Sequence, residues 1–248
     1  MKLAAHLQQS KLLYLKQGCE NLSVAENDHY RWLLFDDVVQ SIMLKRVPFK
    51  LTIPHQYFLM LPLLFSSPQK IIELGLGGGN LVRFLNHILP EAEILSIEYN
   101  QQVINCFETF FNPQNIQQPI SNTSFELWLA KKKKHQFCDW LIYDIYQTDG
   151  DPQYFLKQIA RILTKIEDNA WLSINLPDLD EHELNIALLH LSSIKKNRIM
   201  RYFHVPHYKN IIIHLVPVKG VLTTDKSLLP YYSISRWSAL WLHGMINR

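Results

Sequence analysis

The stretch Lys70-Ile71-Ile72-Glu73-Leu74-Gly75-Leu76-Gly77-Gly78-Gly79-Asn80 decides how this chain folds. An apolar run, Ile71, Ile72 and Leu74, leads into four glycines, and Leu81-Val82-Arg83-Phe84-Leu85 opens a helical pattern behind them. Strand, glycine turn and helix start in that order read as the first βα unit of a nucleotide-binding sheet. Gly75 and Gly77 admit positive φ and leave no Cβ between main chain and ligand, while the helix start offers unpaired N–H groups. A dinucleotide fingerprint places a third glycine three residues after the second, where this chain has Asn80. The spacing present is acid-x-Gly-x-Gly-x-Gly, through Glu73, Gly75, Gly77 and Gly79, which disfavours an NAD-dependent oxidoreductase.

Downstream, the pattern of a wound α/β sheet continues. Leu81 to Ile88 reads as a helix closed by Pro90, and Glu93 to Glu98 as a second strand ending in a carboxylate. Glu98 lies about twenty residues past the glycines, where this fold places an acid for ribose hydroxyls. A carboxylate can accept from both hydroxyls, which a neutral side chain does less well. Gln101 to Phe110 and Phe125 to Ala130 read as helices around a weak strand near Ile116 to Ile120. Cys138 to Asp144 is a clearer strand, delivering Asp144 at its carboxyl end, and Trp171 to Leu176 repeats that form. Ligands of open α/β sheets bind at those ends. Glu181 to Ile194 has helical spacing, Arg201 to Val205 and Ile211 to Val216 read as a closing antiparallel pair, and the tail around Trp237 and Trp241 is helical.

Ahead of the glycines the texture differs. Met1 to Gln17 reads equally as a short helix or a loose terminal arm. Tyr30 to Phe35 and Val38 to Met43 are β-rich runs split by Asp36-Asp37, the signature of a hairpin. His55 to Phe65 reads as a buried helix ended by Ser66-Ser67-Pro68. The expected organisation is an N-terminal arm (1–22), a small β hairpin domain (23–54) and a Rossmann-like domain (55–248).

Composition narrows the function classes. With 48% hydrophobic residues in 248, the chain can bury one good core, and a formal charge of +3 is too small to argue for nucleic acid. Lys131 to Lys134, the one dense basic run, reads as a solvated helix end. Three scattered cysteines, Cys19, Cys106 and Cys138, carry no metal-ligand spacing and suit a reducing compartment. The apolar run Tyr57 to Phe65 is too short for a bilayer. A soluble cytoplasmic protein without a metal, a membrane span or a nucleic-acid partner is expected.

The glycine spacing resembles the first motif of S-adenosylmethionine-dependent transferases, and three separated pieces resemble one family, the spermidine synthase-like proteins. Leu34-Phe35-Asp36-Asp37-Val38-Val39-Gln40 is similar to that family's Leu-Asp-Gly-x-x-Gln segment. Glu73 to Gly79 resembles its glycine loop, with Glu98 as its ribose-binding acid. Ile142-Tyr143-Asp144 resembles the strand carrying its catalytic aspartate, with Asp151-Pro152 following. The resemblance implies a seven-stranded methyltransferase-like sheet behind a small β domain. It implies S-adenosylmethionine or its decarboxylated form as donor, a small acceptor such as an amine, and room for a homodimer. Asp144 would be catalytic; Gln40, Glu73, Gly75, Gly77, Gly79 and Glu98 would hold the donor; His55 and Tyr146 would line the acceptor side.

The chain departs from the family at several acids. Pro54-His55-Gln56 stands where aminopropyltransferases carry Tyr-His-Glu, and Gly78 where their loop aspartate holds the donor's amine. The second acid after Asp144 is displaced, and Asn122 or Ser124 replaces the acid near adenine. A decarboxylated donor and a polyamine bring several positive charges that need carboxylates in a partly dry cleft. Fewer acids therefore move the expectation toward ordinary S-adenosylmethionine, with methyl transfer slightly ahead of aminopropyl transfer. A nucleoside-binding protein of the same fold that has lost catalysis is the alternative.

Overall fold

The computed structural model describes residues 3–131, 138–145, 152–176, 179–218 and 231–247. Helix α1 (Leu3–Gln8) leads into an antiparallel sheet of β1 (Lys11–Lys16), β2 (Leu22–Glu26), β3 (Tyr30–Phe35) and β4 (Val38–Leu44), in that spatial order. The expected hairpin is thus half of a four-stranded sheet, and β1 falls where a helix or arm was expected. Leu12 and Leu15 of β1 are both exposed, so the strand lacks the alternation that marks a half-buried one. In β3 and β4 the alternation gives way to buried runs, with Trp32, Leu33, Ile42 and Met43 nearly inaccessible.

Helix α2 (Pro54–Leu59) breaks after one and a half turns into a 3-10 turn, Leu61–Leu64, because Pro62 cannot continue the α-helical ladder. The large sheet then begins. Its elements are β5 (Lys70–Leu74), α3 (Asn80–Ile88), β6 (Glu93–Glu98), α4 (Gln101–Cys106), β7 (Ile120–Asn122), α5 (Phe125–Lys131) and β8 (Trp140–Tyr143). After these come α6 (Pro152–Leu163), β9 (Trp171–Leu176), α7 (Glu181–Ile194), β10 (Arg198–His204), β11 (Ile211–Pro217), α8 (Tyr231–Leu242) and β12 (Met245–Asn247).

The strand order is β12-β10-β11-β9-β8-β5-β6-β7, parallel from β9 to β7 and antiparallel among the rest. Eight strands are present among the described residues where seven were expected. The additional one is the three-residue β12, which caps the β10 edge and is too short to show a period. Side chains of successive residues serve opposite layers. Ile71, Trp140 and Ile142 pack with the N-terminal sheet, α2, α3 and α8, whereas Ile72 and Leu141 pack with α5, α6 and α7. Both faces are covered, so the central strands read as continuous apolar runs and the polar residues cluster at their ends. From β5 the chain continues to β6 on one side, and β8 pairs on the other. The crevice for a ligand opens at that switch point, beyond the carboxyl ends of the strands.

Candidate active site

Parallel register brings the strand-end acids together. Leu74 lies opposite Ile97 on one side and Tyr143 on the other, so the glycine loop, Glu98 and Asp144 emerge at the same level. They line one cavity of about 1020 Å³, roofed from the N-terminal sheet by Val39, Gln40 and Ser41.

The glycine loop is built into its surroundings. Gly79 caps α3 with φ 66°, and a Cβ there would run into the Phe107 ring. Its role is therefore packing: Gly75 and Gly77 line the cavity and Gly79 does not. Ser41 Oγ accepts the Gly78 N–H at 2.9 Å. A Cβ on Gly78 would stand 2.7 Å from the Ser41 Cβ, so this loop has no room for an aspartate at that position. Asn80, at the edge of the cavity, donates to the Ile42 carbonyl (2.9 Å) and to Thr52 Oγ1 (3.2 Å). Arg83, fully buried, donates to the carbonyls of Pro48, Gly78 and Phe111 and to Asn80 Oδ1. Burial pushes its pKa down to about 9. These contacts rivet the loop to the strand that carries Gln40.

The carboxylates differ in environment. Glu98 accepts the N–H of Leu76 at 3.2 Å and of Asn100 at 2.9 Å. Burial raises its pKa, and the main-chain donors of Asn100, Leu76, Gly77 and Tyr99 pull it back. Glu73 is 1% exposed and takes a 2.6 Å hydrogen bond from the Ser96 hydroxyl. Burial pushes it up to about 8; the Ser96 bond and Arg83 oppose this, while the Asp144 and Glu98 charges add to it. Asp144, half-buried, accepts the Asn175 amide at 2.8 Å. His55 on α2 lines the same cavity, with a buried Nδ1 that has no partner among the described residues. Burial lowers its pKa, against the pull of Asp144.

What holds α2 in place lies on the sheet face that it covers. The Trp140 indole donates to Ser173 Oγ at 2.8 Å, Ser173 Oγ lies 2.8 Å from His214 Nδ1, and His214 Nε2 lies 3.0 Å from the Phe58 carbonyl. With Nε2–H donating to that carbonyl and Nδ1 accepting the serine proton, every group in the chain is satisfied by a neutral ring. Gln56 of α2 is used in capping: its Oε1 accepts the N–H of Thr52 and of Ile53, each at 3.2 Å.

Of the residues singled out from sequence, Gln40, His55, Glu73, Gly75, Gly77, Glu98 and Asp144 share the cavity. Tyr146 and the displaced Asp149 and Asp151 lie outside the described residues. Asn122 spends its side-chain amide on the carbonyls of Glu98 and Tyr99, leaving Thr123 and Ser124 on the cavity wall. Sequence reasoning missed Glu20, Asp36, Glu126, Tyr154, Asn175, Tyr208 and Asn210, all of which face the cavity. Glu126 accepts the Tyr154 hydroxyl at 2.8 Å. The lining thus carries six carboxylates, Glu20, Asp36, Glu73, Glu98, Glu126 and Asp144, and no lysine or arginine among the described residues. The acids lost from motif positions are not lost from the cavity, and this removes the ground for expecting a carboxylate-bearing donor. Among the described residues no group of three or more His, Cys, Asp or Glu is arranged to hold a metal, and no helix is long and apolar enough to cross a membrane.

A parallel sheet with this strand order, a glycine loop at its switch point and an acid on each neighbouring strand is the architecture of methyltransferase-like folds. Human methyltransferase-like protein 13, solved with SAH, superposes with a TM-score of 0.58 at 12% identity, over 77% of this chain and 91% of that one. The likeness becomes more specific when the N-terminal sheet is included. A probable spermidine synthase from Corynebacterium glutamicum superposes with a TM-score of 0.72 at 12% identity, over 92% of this chain and 86% of that one. In sequence, a polyamine aminopropyltransferase of Neisseria meningitidis serogroup A is 33% identical over 109 residues. The matched stretch spans 41% of this chain and 41% of that relative. No family model matches the chain. Over that stretch the sequence resembles a polyamine aminopropyltransferase, and over nearly its whole length the fold resembles that of spermidine synthases.

Proposed function

We propose that this chain is an aminopropyltransferase-type enzyme, taking a decarboxylated sulfonium nucleoside as donor and a small amine as acceptor. The cavity's charge carries the reading: six carboxylates line it without a lysine or arginine among the described residues. Decarboxylated S-adenosylmethionine brings a sulfonium and an ammonium into such a cavity and no negative group. Ordinary S-adenosylmethionine would bring a carboxylate with no cationic side chain to meet it, at a cost of several kcal/mol for an unpaired buried charge. The relative in Neisseria is named for aminopropyl transfer, so a lean toward methyl transfer has no support there either.

In this reading Gly75 and Gly77 lie against the adenosine, Glu98 accepts hydrogen bonds from the ribose hydroxyls, and Gln40 covers the donor from β4. Glu73 faces the cationic side chain of the donor. His55 and Asp144 face the acceptor. The amine lone pair forms a bond to the carbon next to sulfur as that carbon's bond to the sulfonium breaks. The electron pair stays on sulfur, and methylthioadenosine leaves. The proton shed by the new ammonium passes to Asp144. Alignment of the two ligands and proton acceptance are the chain's contributions.

The test is product identity. The full chain, incubated with decarboxylated S-adenosylmethionine and 1,4-diaminobutane, should release methylthioadenosine, and Asp144→Asn should lower kcat at least about 100-fold. Release of S-adenosylhomocysteine from ordinary S-adenosylmethionine would return the reading to methyl transfer. Tight nucleoside binding without any release would favour a catalytically inactive binding protein.

A further inference from the structure

Asp144 does not stand alone at its strand end. Register between β8 and β9 sets Tyr143 beside Ile174, so Asp144 and Asn175 leave the sheet side by side. Register between β9 and β11 sets Ile211 beside Leu176 and Ile212 beside Asn175, which brings Asn210, just ahead of β11, to the same edge of the crevice. The turn before β11 fixes Asn210 further. His207 takes φ 64°, the Tyr208 N–H donates to the Val205 carbonyl, and the Val205 N–H donates to the Asn210 carbonyl, both at 3.1 Å. The side chains then form a directional chain: Asn210 Nδ2 donates to Asn175 Oδ1 at 3.0 Å, and Asn175 Nδ2 donates to Asp144 Oδ1 at 2.8 Å. All three line the cavity.

Direction matters because an amide can present either a donor or an acceptor. With its carbonyl oxygen occupied by Asn210, Asn175 turns its NH₂ toward Asp144. A donor there suits a carboxylate acceptor, whereas a flipped amide would set two acceptors against each other.

We propose, building on the transferase reading above, that Asn175 and Asn210 are positioning residues forming a two-amide relay that holds the Asp144 carboxylate in one orientation, aimed at the acceptor nitrogen. Asn175 acts on the carboxylate directly. Asn210 acts through Asn175, by fixing which end of that amide faces the site. The ends of three strands, β8, β9 and β11, contribute one residue each, so the base is oriented from the sheet.

The experiment follows the Asn175 side-chain amide by NMR in the ligand-free full chain, with Asn175→Leu, or Asn175→Ser if the first does not fold, used to assign the resonances. Asn210→Ala and Asp144→Asn should each shift both amide protons, because each removes one end of the relay. In turnover, Asn175→Leu should lower kcat at least about tenfold, the equivalent of one lost hydrogen bond, with the donor KM unchanged. Asn210→Ala should lower kcat by less, and Asn210→Ser, which still offers a hydroxyl donor, should bring it back toward wild type. Amide resonances unmoved in both Asn210→Ala and Asp144→Asn overturn the relay. The spectra need no turnover: a chain inactive with every sulfonium donor would sink the transferase reading while the amide resonances still judged the relay.

Discussion

Replacing Glu98 by alanine separates what this carboxylate does for the fold from what it does for a ligand. In the ligand-free chain it accepts the N–H groups of Leu76 and Asn100 and so ties the end of β6 to the glycine loop. Hydrogen bonds to a charged group contribute about 1.5–3 kcal/mol each, but water in the open cavity can take over part of the abandoned donors. A net loss of about 1–3 kcal/mol follows, which for a chain of this length lowers Tm by roughly 3–10 °C. Loss of the ribose contacts should weaken nucleoside binding at least about tenfold, or ~1.4 kcal/mol. The two effects part in a thermal-shift titration. At 100 times the wild-type Kd, methylthioadenosine stabilises the wild-type chain by about 2.7 kcal/mol, and a tenfold weaker variant by only about 1.4 kcal/mol. The variant should therefore melt lower without ligand and show about half the ligand-induced stabilisation. A wild-type melting temperature would refute the structural tie; a full ligand response would remove Glu98 from the sugar site.

Other expectations follow from packing and charge. Gly79→Ala forces a left-handed residue and drives a methyl into the Phe107 ring. It should cost about 2–4 kcal/mol in chemical denaturation, against about 1–2 kcal/mol for Gly77→Ala, whose Cβ would meet only Ser41 Oγ at 3.2 Å. His214 is held neutral, its pKa lowered by burial to about 3. The unfolded chain takes up this proton near pH 6.5 and the folded chain only near 3, so stability should fall as pH drops through that window. Tm measured from pH 7 to 5 should show a shallower fall in His214→Gln. Glu73, raised to about 8, is the opposite case, protonated in the folded chain through neutral pH. A cationic ligand favours its ionised form, so binding at pH 7 should release a proton. Calorimetry in two buffers of different ionisation enthalpy should detect that release in wild type and lose it in Glu73→Gln.

The features legible in the sequence were those confined to one segment. The glycine run, Glu98 and Asp144 each follow an apolar strand, so their place at the crevice follows from the fold rule alone. Gln40, at the third position of its strand, came from family resemblance, because nothing in its local pattern marks it. What escaped was assembled across distance. Glu20, Asp36 and Glu126 come from a loop, a turn and a helix face, where a carboxylate normally means only solvation, and they reach the cavity through packing of the N-terminal sheet and α5. The lean toward ordinary S-adenosylmethionine finds no support for that reason: acids were weighed at motif positions, whereas a ligand responds to the charge of the whole wall. Asn175 and Asn210 are 35 residues apart and meet only through antiparallel register. Strand β1 lacked alternation, and Arg83 reads in sequence as an ordinary helix charge although every donor bond it makes is internal.

Calorimetric affinities of decarboxylated S-adenosylmethionine and of S-adenosylmethionine, measured side by side on the full chain, test most directly whether the carboxylate-lined cavity selects its donor. The charge of the wall predicts that the decarboxylated form binds at least about tenfold tighter. Equal affinities, or a preference for the form that keeps its carboxylate, would contradict it.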